Sequence, residues 1–287
     1  MIEREDLISW RHRYLRKIKQ YREEGRPIYY LDETWTFAGM TTPKAWVDTN
    51  IKTSKQAYLE GFGRGCLSDA TGKGQRLIVL HVGSENGFLE GAGLVFRTSG
   101  KLADYHGDMN SDKFEKWFQE ELLPRLPNNA VIVMDNAKYH SRELDKPPTT
   151  SSTKKVMQDW LREKGIHFEE KMTKRMLYEK IKQHKPTEKT YAVDKMASDA
   201  GFTVLRLPPY HCELNPIEMV WAQVKHFVKD KNTSKKLQLV EDLTHQALEH
   251  VTAEQWKNTA NTSRKRSKKC GNLKALWTKW WTGLLYS

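Results

Sequence analysis

Apolar residues recur along the first third of the chain in a helical pattern and then in strand patterns. Residues 5–22 place aromatic and aliphatic residues among basic ones at helical spacing, which predicts an N-terminal helix that ends at EEGRP. Apolar runs follow at IYYLDETW from Ile28, at RLIVLHV (76–82) and at GAGLVFRTS (91–99). Gly-rich turns between them predict antiparallel hairpins.

The middle of the chain predicts a helix followed by a fully buried strand. Four apolar residues share one face of that helix, for which Ser111 is the expected N-cap: Phe114, Trp117, Phe118 and Leu122. The continuous run AVIVM, which ends at Asp135, is typical of a parallel strand buried on both faces. Strand character returns at FTVLRLP and leads into helical sequence to about residue 258.

Residues 142–201 interrupt this pattern, because a loop-like stretch, DKPPTTSSTKK, precedes two short amphipathic helical patterns. We interpret them as a helical insertion in an α/β or α+β core. The predicted division is a linker-like helix at 1–26, the first part of the main domain at 27–141, the insertion at 142–201, the last strand and helices at 202–258, and a basic Trp-rich tail at 259–287.

Charge narrows the classes of partner. The 287 residues carry a formal net charge of +12, which favours a polyanion such as nucleic acid, although a merely basic surface explains the charge equally well. Cys66, Cys212 and Cys270 form no C-x-x-C pair, so neither a disulfide framework nor a cysteine zinc site is indicated.

Membrane and secretory classes are not indicated. No apolar run approaches the roughly 18 residues of a membrane span, and the N-terminal stretch is too charged for a secretory signal. We therefore expect an intracellular protein with no membrane partner.

Three carboxylates stand at the ends of predicted elements. Asp32 and Asp135 end two apolar strands, and they would emerge at the same sheet edge if those strands are neighbours. Glu218 lies in the first turn of a helix that Asn215 would cap, with Pro216 at the first helical position. Taken singly, each has a structural explanation, since Asp caps turns and Glu218 would complete a capping box with the Asn215 amide.

The three together favour a metal site. Mg²⁺ takes oxygen ligands and keeps several waters, so a few converging carboxylates suffice to bind it. Two such ions activate the attacking oxygen and stabilise the leaving oxygen in phosphoryl displacement, a chemistry that fits a basic chain.

The motifs YYLDETW, VIVMDNAKYHS and LPPYHCELNPIEMVW resemble the three catalytic blocks of DDE transposases of the IS630/Tc1/mariner superfamily. The resemblance implies a ribonuclease H-like mixed sheet flanked by helices, with a helical insertion before the last catalytic helix. It implies that Asp32, Asp135 and Glu218 bind two Mg²⁺ or Mn²⁺ ions for DNA cleavage and strand transfer. It further implies double-stranded DNA as partner, a homodimer when active, no nucleotide cofactor, and a nuclear location in a eukaryote or a cytoplasmic one otherwise.

The chain departs from this family pattern in two ways. Between Asp135 and Glu218 lie 82 residues (218 − 135 − 1), a long spacing similar to the branch called Sailor. His211 and Cys212 stand where many relatives carry Ser-Pro. We also expect the end-recognition modules typical of the family to be truncated, absent or encoded separately, because residues 1–26 supply only one helix.

Several further residues are candidates with open alternatives. Asn136, Lys138 and His140 follow Asp135 and would contact phosphate or orient water, although a solvated turn explains them equally. Lys225 shares a helix face with Glu218 and is a further candidate for DNA binding. Three more polar residues have weaker signals as active-edge or metal-site groups: His106, Asp108 and His211.

Two segments and two other functions stay open. The insertion is faintly similar to a two-helix SAP-type DNA-binding motif, although a capping subdomain is the simpler interpretation. The cluster SRKRSKK predicts a nuclear localisation signal or a phosphate-contacting arm. The alternatives to a transposase are a transposase-derived DNA-binding protein without catalysis and a stand-alone ribonuclease H-like nuclease.

Overall fold

The computed structural model describes residues 4–41, 56, 75–98, 109–186, 189–233 and 236–284, with side chains described as far as residue 268. His106 and Asp108 lie outside these ranges. Across the described ranges, no helix combines the length and the apolar composition needed to cross a lipid bilayer.

The described chain forms six strands and eight α-helices. The strands are β1 (Ile28–Phe37), β2 (Arg76–Ser84), β3 (Gly87–Phe88), β4 (Leu94–Arg97), β5 (Val131–Met134) and β6 (Thr203–Arg206). The helices are α1 (Glu5–Glu23), α2 (Ser111–Trp117), α3 (Lys154–Glu163), α4 (Lys174–His184), α5 (Ala192–Asp199), α6 (Ile217–Lys231), α7 (Leu237–His250) and α8 (Ala253–Leu284). A π-helical turn at Phe118–Leu122 and a 3₁₀ turn at Leu123–Arg125 extend α2.

The strands form one mixed sheet in the order β3-β2-β1-β5-β6, with β4 also paired to β2. The predicted antiparallel pairing of the second and third apolar runs is confirmed, since β2 and β4 pair from Leu77↔Arg97 to Leu80↔Leu94. β1 is antiparallel to β2 but parallel to β5, and β5 is parallel to β6. The central strands β1 and β5 therefore run in the same direction, and the parallel strand predicted from the apolar run of β5 is confirmed.

Both faces of the sheet are covered by helices. One face packs against α1, α6, α7 and the start of α8, and the other packs against α2 and α5. The predicted apolar stripe of α6 is buried: Ile217, Trp221, Val224 and Val228. The predicted face of α2 and its extension is buried as well: Phe114, Trp117, Phe118 and Leu122. The predicted mixed sheet flanked by helices is confirmed.

A glycine in β2 lets α8 approach the sheet closely. A Cβ on Gly83 would lie 2.3 Å from Cζ2 of Trp256, which is far inside van der Waals contact. Trp256 is fully buried and also contacts Phe88 edge-on, with ring centroids 5.1 Å apart. Only glycine, which has no Cβ, therefore fits at position 83 beside the tryptophan that anchors α8.

Residues between β5 and β6 form helices, as the sequence predicts. α3 and α4 pack on each other around a small core of their own: Met157, Trp160, Leu161, Leu177 and Ile181. Where this excursion leaves and rejoins the main body, Glu143 and Tyr191 form an antiparallel bridge. Beside this bridge, the Ala192 amide donates to Arg142 O at 2.9 Å. The two ends of the helical excursion are therefore adjacent in space.

Two sequence expectations are wrong in detail. Asn110, one residue before Ser111, caps α2, since its side chain accepts the Lys113 amide at 2.9 Å. Helical backbone also continues past residue 258 to Leu284. The segment 253–284 contains no proline to end the helix, and Lys, Arg, Leu and Ala are strong helix formers.

Candidate active site

Asp32 and Asp135 are brought together by the parallel pairing of β1 and β5. Ile28, Tyr29 and Tyr30 pair with residues 131, 132 and 133, a constant offset of 103. The same offset continued two residues further sets Asp32 beside Asp135, which directly follows β5. The expectation that both emerge at one sheet edge therefore agrees with the register.

Asp32 does not end its strand, contrary to the sequence expectation. β1 continues to Phe37 because β2 pairs with it along Tyr30 to Phe37, well beyond the last residue of β5. Asp32 therefore has rigid backbone on both sides, while Asp135 lies at the start of a loop.

Glu218 is in the first turn of α6, but the expected cap of that helix is wrong. The Asn215 side chain makes no cap, and its Nδ2 donates instead to Leu31 O at 3.2 Å, next to Asp32. The Asn215 amide donates to Cys212 O at 2.8 Å, so it is not held by a Glu218 capping box. Proline at 216, which fixes φ, starts the helix in place of a side-chain cap.

The three carboxylates line one pocket of about 330 Å³. Asn215, Tyr210 and Cys212 contribute to the wall on the α6 side. Three segments distant in sequence, the middle of β1, the end of β5 and the start of α6, therefore deliver one acid each to the same cavity.

Burial and neighbouring charges shift the pKa values of the three acids in the pocket. Burial, and then the neighbouring charges of Glu218, Glu33 and Asp135, raise the pKa of Asp32 well above its usual value. Burial likewise raises the pKa of Glu218, with Lys225 opposing and Asp135 adding to the shift. Burial alone would raise the pKa of Asp135 too, but hydrogen bonding and the charge of His140 lower it overall.

Each aspartate is oriented by a donor from a neighbouring element. Trp221 Nε1 donates to Asp32 Oδ2 at 3.0 Å, which ties Asp32 to α6. Asp135 Oδ1 accepts from the Ala137 amide at 3.0 Å and lies 2.7 Å from His140 Nδ1. Such supporting contacts are typical of the carboxylates that hold metals in proteins.

His140 also joins the pocket to Glu33, a residue that the sequence reasoning missed. His140 Nε2 lies 2.9 Å from Glu33 Oε1, and the Tyr139 hydroxyl donates to Glu33 Oε2 at 3.3 Å. The two carboxylates raise the pKa of His140 to about 9 against the opposing effect of burial. The only sequence signal for Glu33 was an acid beside Asp32, on the opposite face of β1.

Arg206 fastens the loop after Asp135 to α5. Its guanidinium donates to Asp194 Oδ1 at 2.7 Å and to His140 O at 2.8 Å, and it stacks on Tyr191 at 4.3 Å. The Arg206 side chain is only 9% exposed, so solvent screens these charge-assisted contacts weakly. The backbone that carries His140 is therefore held on a rigid element.

The donor set suits a hard divalent cation. Three carboxylates face one pocket, and the buried Asn215 adds an amide oxygen, Oδ1, without a hydrogen-bond partner among the described residues. These are oxygen ligands of the kind that Mg²⁺ and Mn²⁺ prefer. As the side chains stand, no three His, Cys, Asp or Glu groups of the described segments are close enough to share one ion. Ligation by all three acids therefore requires their side chains to rotate towards one another.

The remaining candidates are placed differently. Lys138 is exposed on the 3₁₀ turn Lys138–His140. A direct DNA contact by His140 is wrong, because its side chain is fully buried and both ring nitrogens face carboxylates. Lys225 lies 4.7 Å over the Trp35 ring, and burial lowers its pKa. His211 is buried, with Nδ1 2.7 Å from Glu213 Oε1.

Part of the sequence matches a known protein family. Residues 148–241, which include Glu218, match the family described as DDE superfamily endonuclease. None of the curated proteins matches the sequence.

Solved structures share the fold at low sequence identity. The Mos1 strand transfer complex matches with a TM-score of 0.55 and 12% identity, over 93% of this chain and 61% of that one. The Mos1 transposase paired-end complex with the left transposon end matches with a TM-score of 0.53 and 12% identity, over 93% and 62%. The Mos1 mariner paired-end complex with Mn matches with a TM-score of 0.52 and 13% identity, over 93% and 62%.

The chain thus spans 61–62% of the length of these three Mos1 chains. The shared fold confirms the predicted ribonuclease H-like sheet. The family match over residues 148–241 and the shared fold both support the predicted resemblance of the chain to DDE enzymes.

Proposed function

We propose that this chain is the catalytic part of a DDE transposase, which cleaves DNA phosphodiester bonds and transfers the freed strand to a target. The observation that carries the proposal is the convergence of Asp32, Asp135 and Glu218 on one pocket from three separate segments. Burial and the charge of Glu218 raise the pKa of Asp32, and burial and the charge of Asp135 raise the pKa of Glu218, as expected of crowded acids whose role is to bind cations.

Asp32, Asp135 and Glu218 would hold two Mg²⁺ or Mn²⁺ ions, with Asn215 Oδ1 beside them. When bound, such ions activate the attacking oxygen and stabilise the leaving oxygen of a phosphoryl transfer. The chain itself supplies the rigid frame for this chemistry. Trp221 orients Asp32, and the contact with His140 keeps Asp135 ionised at neutral pH.

Double-stranded DNA is the proposed partner. The formal net charge of +12 supports phosphate binding. Lys138 follows Asp135 closely in the sequence, and Lys225 is near enough for its charge to lower the pKa of Glu218. We infer a homodimer in the active state, because transposition acts on two element ends, and the similar Mos1 assembly is described as a paired-end complex. The reaction would take place where genomic DNA lies, in the nucleus of a eukaryotic cell or the cytoplasm of a prokaryotic one.

The test is a nicking assay on labelled supercoiled DNA with Mg²⁺, with Mn²⁺ and with EDTA. Nicking that depends on either metal and is lost in Asp135→Asn is expected. Asp112→Asn is the matched control, since Asp112 is exposed on α2 and does not line the pocket.

Strand transfer is tested separately with a labelled duplex that carries a free 3′-hydroxyl, incubated with unlabelled plasmid. Covalent joining of label to plasmid supports the transposase reaction. Metal-dependent nicking without joining would indicate a nuclease, and DNA binding without either would indicate a non-catalytic DNA-binding protein.

A further inference from the structure

The sequence PPYH, between β6 and α6, forms a tight turn beside the carboxylate pocket. The His211 amide donates to Pro208 O at 3.3 Å, which closes a four-residue β-turn. The ring of Pro209, at the second position, fixes φ near about −65°, whereas Tyr210, at the third position, has φ of 65°. A negative φ followed by a positive φ defines a type II turn.

Tyr210 occupies the position of this turn that normally requires glycine or asparagine. In the left-handed region a Cβ lies too close to the following carbonyl oxygen, so most residues avoid it. Of the described residues other than glycine, only Asn129 and Tyr210 have a positive φ, and asparagine tolerates this conformation well. A bulky side chain held in a disfavoured conformation beside a pocket points to a use for the side chain itself.

Packing does not account for the Tyr210 ring. The ring belongs to the most exposed of the large apolar side chains in the described segments, at 66% exposure, although the flanking Pro208 and His211 are buried. Three other large apolar side chains are exposed in these segments, but none of them lines the carboxylate pocket: Leu144, Val156 and Met176. Tyr210 therefore presents a free aromatic surface at the rim of the pocket.

The proposed substrate offers a group that suits this surface. A phosphodiester reaches Asp32, Asp135 and Glu218 by entering the pocket that they line. A nucleotide whose phosphate enters such a pocket leaves the base stack of its duplex, so one face of its base becomes free. Aromatic side chains bind free bases by stacking, with little dependence on sequence, because every base has a π-face.

We propose that Tyr210 stacks on an unpaired base of the DNA strand whose phosphate enters the carboxylate pocket. The left-handed backbone places the ring at the rim, and the buried residues on either side of the turn hold it there. This role rests on the proposed function, because it takes the strand at the three acids to be DNA.

Three substitutions at position 210 separate the ring from the turn. Tyr210→Phe keeps the ring and removes the hydroxyl. Tyr210→Asn and Tyr210→Gly remove the ring and supply residues that adopt a positive φ readily. Met176→Ala is the matched control, because Met176 is 52% exposed on α4 and does not line the pocket.

The first arm measures thermal unfolding in EDTA. Tyr210→Asn and Tyr210→Gly should melt at the wild-type temperature or up to about 4 °C above it, because the strain of the left-handed tyrosine is relieved. A melting temperature several degrees below that of the wild type would show that the ring packs the fold, and the proposal would be wrong.

The second arm measures binding of a short oligothymidylate strand, and of its duplex with oligoadenylate, in EDTA. Tyr210→Asn and Tyr210→Gly should bind the single strand about 5- to 150-fold more weakly, which corresponds to the 1–3 kcal/mol of one base–aromatic stack. Tyr210→Phe and Met176→Ala should stay within about twofold of the wild type, since stacking needs only the ring at position 210.

Two further readouts identify stacking as the cause. Affinity for the duplex should not change, because its bases are stacked on one another and show no free face. The slope of log K against log salt should be the same in all variants, because stacking releases no counterions. Equal losses for the single strand and the duplex would show that the ring contacts the sugar-phosphate backbone, and would overturn the base-stacking role.

The outcomes also separate this role from the proposed function. Equal single-strand affinity of the wild type and Tyr210→Asn, or no single-strand binding by the wild type, would reject the stack. Ring-dependent binding by a wild-type protein that fails to nick DNA would keep the stack and reject the proposed function. Metal-dependent nicking with no effect of the ring on single-strand binding would do the reverse.

Discussion

His140 Nε2 lies 2.9 Å from Glu33 Oε1, and the side chains of both residues are almost completely removed from solvent, at 0% and 3% exposure. The imidazole reaches across to Asp135 with its other nitrogen at 2.7 Å. One histidine therefore joins two acids that lie on opposite sides of the sheet edge, Glu33 behind the pocket and Asp135 within it.

Removing this imidazole should destabilise the fold strongly. His140→Ala leaves Glu33 buried with no positive partner, and breaking a buried ion pair from one side typically costs about 3–5 kcal/mol. Urea unfolding of His140→Ala in EDTA should show a loss in that range. The double variant with Glu33→Gln should lose less than the sum of the two single variants, because it leaves no unpaired buried charge. A loss below about 1 kcal/mol in His140→Ala would contradict the pairing.

Glu218→Gln should abolish metal-dependent nicking while leaving the melting temperature nearly unchanged. The Asn215 amide already donates to Cys212 O, so no capping box depends on Glu218. The neutral amide would, however, remove a full charge from a site that must hold hard cations, so activity should fall by orders of magnitude. DNA affinity without metal should be equal or slightly higher, because repulsion of phosphate is reduced.

Glu249→Gln is the matched control for that experiment, since Glu249 is exposed on α7. Both variants are measured by a melting curve and a nicking assay on the same preparation. If Glu218→Gln cuts DNA within a fewfold of an active wild type, Glu218 is not a metal ligand.

His81 should make the protein less stable in mild acid. Burial between Phe88 and Gly93 lowers its pKa to about 4. Because the unfolded chain binds this proton near pH 6.5, the unfolded state gains protons first as the pH falls, and stability decreases from pH 6.5 towards pH 4. His81→Leu should lack this part of the decrease, up to about 3 kcal/mol. Equal pH profiles for the two proteins, measured by urea unfolding, would exclude a buried neutral His81.

Gly83→Ala should destabilise the packing of α8 on the sheet. The added methyl group would overlap the Trp256 ring, and overpacking of a core typically costs about 1–3 kcal/mol. In a Trp256→Leu background the same glycine substitution should cost much less, because the ring is gone. Denaturant unfolding of the four proteins measures the coupling, and additive effects would show that the two residues do not clash.

The sequence predicted those features that depend on local pattern. Apolar runs identified β1, β2, β5 and β6, and helical spacing identified the buried face of α6, because burial on one or two faces imposes a period on the residues. The position of Asp135 directly after β5 followed from the same pattern. That Asp32, Asp135 and Glu218 form a catalytic site stays a prediction, which the shared pocket supports.

What the sequence did not predict depends on contacts between distant segments. Asp32 is inside β1 because β2 continues the pairing after β5 ends. The Asn215 side chain does not cap α6: its Nδ2 donates to Leu31 O, 184 residues away along the chain, and its Oδ1 accepts from no helix amide. No local pattern distinguishes the buried His140 from a histidine on a solvated turn.

The antiparallel bridge between Glu143 and Tyr191 makes the distance along the chain between Asp135 and Glu218 irrelevant to the distance between them in space. Everything from residue 144 to residue 190 begins and ends at the same point, so its length acts on the fold only through the slowly growing entropy of closing a loop. The segment is therefore an insertion whose two ends are held together by the main body of the fold. Its length and sequence can change while the positions of Asp135 and Glu218 stay the same. The number of residues between these two acids therefore depends on the size of the insertion and not on the chemistry of the site.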